Sequence, residues 1–167
     1  MTSKITRRSL TAGLAIGALT TPGLGIVSAR AQAKSVKMAM IAPLSGPWAR
    51  QGQLLRQSAE MAIDEINKSG GIKSLGGAKM KLVILDTGDS SEKAKNAAQR
   101  LVAQNPDVVG GFGAWLSSFT LAVTEVTERA EMPWLTLSYS DVITGRGFRY
   151  VFQTSATGDR QSEVWNT

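Results

Sequence analysis

The sequence predicts an α/β fold: a doubly wound parallel sheet of about five strands with helices on both faces. Three observations carry this expectation. Short apolar runs of strand length recur between residues 36 and 154, closed by Pro, Asp, Gly or Ser. Longer segments between them repeat their apolar residues at helical spacing. The connections are short, and strands that alternate with helices over short connections pair in parallel.

Residues 36–42 are an apolar run halted by Pro43 and read as a buried strand. Residues 44–52 read as a loop, punctuated by Ser45, Gly46 and Pro47. Leu54, Leu55, Ala59, Ala62, Ile63 and Ile66 then form the buried face of a helix that Gly70 and Gly71 stop. Residues 80–85 are a second strand, ending at Asp86. Asp89 followed by Glu92 has capping-box spacing, with Asp in place of Ser or Thr. The helix it opens should bury Ala94, Ala97, Ala98, Leu101 and Val102, and Asn105-Pro106 ends it. Residues 107–112 are a third strand running into a glycine-rich turn. A helix from about 118 to 131 should bury Leu121, Ala122, Val126 and Ala130. Residues 133–137 and 148–154 read as the fourth and fifth strands. Ligands of such sheets sit beyond the carboxyl ends of the strands, at a switch in strand order. The loops at 43–52, 86–91, 112–118 and 138–147 are therefore the places to look.

Residues 1–33 read as an export signal. Arg7 and Arg8 stand side by side ahead of a short apolar run, and Ala29-Arg30-Ala31 and Ala31-Gln32-Ala33 are overlapping small-residue cleavage sites. The arginine pair matches the twin-arginine type. The run is too short for the roughly 20 apolar residues a bilayer span needs. Gly13, Gly17, Thr20, Thr21 and Pro22 dilute it further. The chain has no cysteine, hence no lipidated N-terminal cysteine and no disulfide. The expectation is cleavage near Ala31 or Ala33 and a periplasmic, soluble product that is not embedded in the membrane.

Charge excludes other classes. Of 19 basic and 13 acidic residues, Lys4, Arg7, Arg8 and Arg30 fall in the leader and no acidic one does. The remainder is nearly balanced, which gives no basis for nucleic-acid binding. His is absent, so the commonest general base and metal ligand are missing. Ser117 lacks both a histidine and a Gly-x-Ser-x-Gly elbow. Gly111-Phe112-Gly113 lacks the third glycine of a dinucleotide fingerprint. Asp86 and Asp89 have no third acid nearby and read as turn and capping residues. No catalytic constellation can be assembled, so the expectation is no enzyme, no cofactor and no metal.

Several segments carry a resemblance. They are residues 41–47 (IAPLSGP), residues 62–67 (AIDEIN) with Gly70-Gly71-Ile72, the turn from Asp86 to Asp89, and residues 144–148 (TGRGF) leading to Tyr150-Val151-Phe152. In this order and spacing the chain resembles the branched-chain amino-acid (Leu/Ile/Val) type of ABC-transporter substrate-binding protein over residues 36–160. The resemblance implies a type I periplasmic-binding-protein lobe. Such proteins close two lobes over a small ligand and present it to a membrane permease. It further implies that residues 34–157 are an incomplete first lobe and 158–167 the truncated start of a second, most of which is missing. The ligand would be amino-acid-like, an amide or an aromatic acid. A ligand-sensing receptor domain of the same fold is the first alternative, and an exported α/β enzyme the second.

The resemblance also points to site residues. A helix N-terminus after the third strand suits a carboxylate, and in the family a serine at this turn grips one. Ser117 fits that place and Ser118 is the close alternative; a plain capping serine is the other reading. Ser138, Tyr139 and Ser140 would complete the carboxylate site, with Tyr139 at about the family's threonine and a changed pocket shape as the result. The alternative is an ordinary strand-exit turn with Tyr139 packed on the lobe. Gln51 stands where the family often has an aromatic. Trp48 and Trp115 either line the cleft, which would suit an apolar or aromatic ligand, or cover the sheet edge. Gly158 falls where the family often has an acid for the ligand ammonium, with Asp159 one residue late.

Overall fold

The structure, a computed structural model, describes residues 35–165. The expected leader, its arginine pair and its cleavage sites lie outside these residues. The order of elements is β1 (Val36–Ala42), α1 (Ala49–Lys68), β2 (Met80–Asp86), α2 (Ser91–Gln104), β3 (Val108–Gly113), α3 (Ser117–Arg129), β4 (Trp134–Thr136), α4 (Val142–Gly145), β5 (Val151–Gln153) and α5 (Gly158–Trp165), with a 3-10 turn at Lys73–Leu75. The five strands form one sheet in the order β2-β1-β3-β4-β5. Every pairing is parallel. The α/β expectation holds in class, strand number and pairing.

Side chains alternate across the sheet and so divide it into two unlike faces. Ala39, Ile41, Trp134 and Val108 join Ala94, Ala97, Ala98 and Leu101 of α2 and Phe119 and Val123 of α3 in a single buried cluster. Small alanines on α2 let that helix lie close against the strands. The alternate residues Met40, Phe112, Leu135 and Phe152 are register neighbours on the other face. There α1 packs chiefly against β1 and β2. Leu135, Leu137 and Phe152 stay 39%, 56% and 50% exposed, so apolar surface on β4, just beyond it and on β5 lacks a cover among the described residues.

That uncovered face explains the largest departure from expectation. In α1, Leu55, Ala59 and Ile63 are half-buried, but Leu54, Ala62 and Ile66 are exposed. Helical periodicity marks an apolar stripe, and the stripe is wider than the strands beneath it. The buried face of α3 is also rotated. Phe119, Thr120, Val123, Thr124 and Thr127 are buried, whereas Leu121, Ala122 and Val126 are half-buried and Ala130 is exposed. Two of the threonines have partners there: Thr124 Oγ1 donates to the Thr120 carbonyl at 2.6 Å and Thr120 Oγ1 lies 2.7 Å from Ser138 Oγ, whereas Thr127 Oγ1 is buried without a partner among the described residues. The cap of α2 is Ser90, not Asp89. Ser90 Oγ accepts the Lys93 N–H at 3.2 Å, while the Asp89 carboxylate pairs with the Lys93 ammonium one turn along. α1 begins at Ala49, inside the segment expected to be a loop, and α4 and α5 were not expected as helices.

Candidate functional site

Strand order switches at β1: β2 lies on one side, and β3, β4 and β5 follow on the other. The crevice beyond the strand ends at this switch is the binding place of an open parallel sheet. The loops that leave β1, β3 and β4 meet there.

The β1 loop is tied down by Asp86 at the end of β2. Its Oδ1 accepts the N–H groups of Leu44 and Gly88, both at 2.8 Å, and its Oδ2 accepts the Ser45 hydroxyl at 2.5 Å. Burial alone would raise the carboxyl's pKa. The hydrogen bonds from the Ser45 side chain and the Gly88, Leu44 and Ser45 backbones outweigh it and hold the pKa below the ordinary value. A carboxyl depressed in the folded state contributes stability above its unfolded pKa and loses it as pH falls through the folded one. Asp86→Ala should therefore cost about 1–3 kcal/mol near neutral pH by orphaning two backbone donors. Its deficit against the wild type should shrink in acid. Urea denaturation at neutral and acid pH measures both, and a pH-independent deficit would refute the linkage.

Two glycines bring the loops close. A Cβ on Gly52 would stand 1.9 Å from the Pro43 carbonyl oxygen, so only glycine lets the first turn of α1 lean on the β1 loop. Gly113 has φ +123°, and its Cβ would stand 1.9 Å from the Ile41 carbonyl oxygen. The chain then passes through Trp115, a non-glycine residue in the left-handed region at φ 75°. This turn sets the Trp115 ring against Trp48, with centroids 5.2 Å apart and planes tilted by 49°. Below Trp115, Met40, Leu55, Phe112, Leu135 and Leu137 line an apolar cavity of about 250 Å³.

The N-terminus of α3 opens beside this pair. Leu116 occupies the cap position and no side chain caps the helix. Ser117 is the first helical residue, so the reading of Ser117 as a plain cap does not hold. The first-turn N–H groups and the positive end of the helix dipole face the crevice. Ser117 Oγ accepts the Ser140 N–H at 3.4 Å, which joins the β4 loop to this helix end and leaves the Ser117 proton free to donate. Ser118 is exposed, and its carbonyl accepts the Ser91 hydroxyl at 3.4 Å.

The other expected residues divide. Ser140 is half-buried beside Ser117. Tyr139 is 58% exposed, so it does not pack on the lobe, and its carbonyl accepts the Gly158 N–H at 2.8 Å. Ser138 turns inward, 1% exposed, with its hydroxyl engaged by the protein. Gln51 lies in the first turn of α1 instead of a loop, and its Oε1 is buried without a partner among the described residues. One nearby residue escaped sequence reasoning. Asp141 Oδ2 lies 3.9 Å from where a Cβ on Gly158 would stand, so an acid of the β4 loop borders the space expected of an acid at 158. Only the turn at α4 carries it there, and linear spacing holds no sign of that turn. Among the described residues no group of three or more His, Cys, Asp or Glu could hold a metal ion, and no helix is long and apolar enough to cross a membrane.

Comparison with known proteins agrees with this fold. A family model described as periplasmic binding protein matches residues 35–165. The Leu/Ile/Val-binding protein homolog 8 of Brucella suis is 33% identical over 153 residues, which are 90% of this chain and 36% of that protein. The leucine-, isoleucine-, valine-, threonine- and alanine-binding protein of Pseudomonas aeruginosa is 33% identical over 141 residues, 84% of this chain and 36% of its own. Among solved structures, the branched-chain amino acid transporter substrate binding protein LivJ of Streptococcus pneumoniae, in complex with isoleucine, matches with a TM-score of 0.68 and 27% identity. That match covers 74% of this chain and 34% of the other. The chain thus spans about a third of the length of these relatives. A parallel sheet in the order β2-β1-β3-β4-β5, an open helix end at its switch point and a family match over almost all the described residues lead to one assignment: the chain belongs to the periplasmic binding protein family.

Proposed function

We propose that this chain carries the first ligand-binding lobe of an exported solute-binding protein that serves an ABC importer. Its ligand is a small carboxylate with an apolar or aromatic body, amino-acid-like compounds included. The observation that carries the reading is the uncapped start of α3, at the switch in strand order, beside the Trp48–Trp115 pair. The helix end supplies N–H donors for a carboxylate. The two indoles and the apolar cavity beneath them supply a surface for the rest of the ligand. Relatives named for binding leucine, isoleucine and valine support an apolar body.

In this reading residues 1–33 are the export leader, 34–157 the first lobe and 158–167 the entry into a second lobe. The second lobe closes over the ligand, and the closed form engages a membrane permease. The protein binds and releases its ligand without chemical change. The test is a titration of the isotope-labelled 167-residue chain followed by amide chemical shifts. L-leucine, benzoate and the carboxylate-free analogue leucinol serve as probes. Saturable shifts of the Ser117, Ser118 and Phe119 amides with at least one carboxylate, and none with leucinol, are expected. Equal shifts with leucinol, or none with either carboxylate, would refute the reading.

A further inference from the structure

Three hydroxyls are buried directly behind the ligand loop. Thr120 of α3, Thr136 of β4 and Ser138 just beyond it are all at most 2% exposed. Ser138 Oγ lies 2.9 Å from the Trp115 carbonyl oxygen, 2.7 Å from Thr120 Oγ1 and 3.0 Å from Thr136 Oγ1. The Ser138 N–H also donates to Thr136 Oγ1 at 3.1 Å.

Proton counting fixes the directions. A carbonyl only accepts, so the single Ser138 proton goes to Trp115. A hydroxyl has one donor and two acceptor sites. Both threonines must then donate to Ser138, which saturates it. Each threonine proton is spent in this way, and the 3.4 Å approach of Thr120 Oγ1 to Thr136 Oγ1 is an approach without a proton of its own. Two donations into one hydroxyl strengthen its own outgoing bond. That bond ends on a residue at φ 75°, a conformation that costs a non-glycine residue energy and persists only when its surroundings hold it. The neighbouring polar bond, from Trp134 Nε1 to the Gly113 carbonyl at 3.3 Å, holds the turn two residues earlier and cannot replace it.

We propose that Ser138 is a positioning residue of the ligand site: its proton, backed by Thr120 and Thr136, locks the left-handed turn that stands Trp115 against Trp48. It touches no ligand itself. The inference deepens the proposed function, because it concerns the aromatic wall of the same site. The chemistry it serves is recognition of a flat or branched apolar group against two indoles, with the lobe's own hydroxyls setting the width of the slot.

The pair has its own optical signature, since two indoles at 5.2 Å and 49° couple and give an exciton couplet in circular dichroism. Trp115→Phe defines that signal by removing it, and a wild type indistinguishable from Trp115→Phe would overturn the inference. Ser138→Ala is expected to lose most of the couplet while the helical signal persists. It should also weaken L-leucine about tenfold, the loss of one moderate interaction. Thr120→Val, which keeps the Ser138–Trp115 bond, should retain the couplet. Ser138→Cys, a weak donor of similar size, should fall between wild type and Ser138→Ala; should Ser138→Ala fail to fold, this variant alone decides. A full couplet in Ser138→Ala or in Ser138→Cys overturns the inference, and so does equal loss in Thr120→Val. The couplet is read without ligand. A wild type that shows it and ignores L-leucine would therefore count against a leucine-like ligand and leave the positioning role intact.

Discussion

Trp134→Ala should cost about 3–5 kcal/mol, the range for removing a large buried aromatic. Trp134 is 0% exposed and lies at the centre of the cluster that joins the sheet to α2 and α3. Domains of this size have only about 5–15 kcal/mol in total, so a large share of the molecules should unfold at moderate temperature. The damage should reach the site as well. Trp134 Nε1 donates to the Gly113 carbonyl, and Gly113 opens the turn that carries Trp115. Trp134→Phe keeps most of the volume and loses that donor, with an expected cost nearer 1 kcal/mol. Urea denaturation of the three proteins checks the order. Equal stability of Trp134→Ala and Trp134→Phe would show that the cluster tolerates the cavity.

Ser117→Ala should weaken carboxylate binding by about 1.5–3 kcal/mol, the range for a hydrogen bond to a charged group. The hydroxyl stands on the first residue of α3, and among the described residues its one hydrogen bond is the long one accepted from the Ser140 N–H, which leaves its proton to donate. Stability should hardly change, since Ser117 does not cap the helix. Ser90→Ala makes the reverse comparison. It removes the true cap of α2 and should lower stability by about 1 kcal/mol while leaving affinity alone. Calorimetric titration and thermal denaturation of both variants separate the effects. Unchanged affinity in Ser117→Ala would transfer the role to Ser118.

Fold class and pairing were legible because each strand is a compact apolar run and each helix a periodic one. β1 was readable to the residue, since Pro43 ends it. The faces of α1 and α3 were less legible, for two different reasons. For α1, periodicity measures apolar width but not how much sheet lies beneath it. For α3, buried threonines stand where apolar residues were expected, Thr124 bonded within the helix and Thr120 bonded across to Ser138, and polarity alone hides them. At the site, Ser117 and the two tryptophans were readable as candidates because they follow strands. The inward turn of Ser138 and the approach of Asp141 were not, since both depend on where β4 ends and α4 bends. Gln51 was assigned to a loop because Pro47 and Gly52 look like breakers. Gly52 instead lies within α1, where its missing side chain lets the helix meet Pro43.

The uncovered apolar face on β4 and β5 has a consequence in time. In a polypeptide of the relatives' length, nearly two-thirds of the chain has no counterpart here. Synthesis at about 5–20 residues per second would take tens of seconds to deliver that remainder. All five strands could already be paired by then, because every pairing partner lies within residues 36–153. The nascent lobe would thus wait on the ribosome with Leu135, Leu137 and Phe152 facing water. That interval, more than the finished fold, is when such a chain would compete with its own copies for the bare edge of β5.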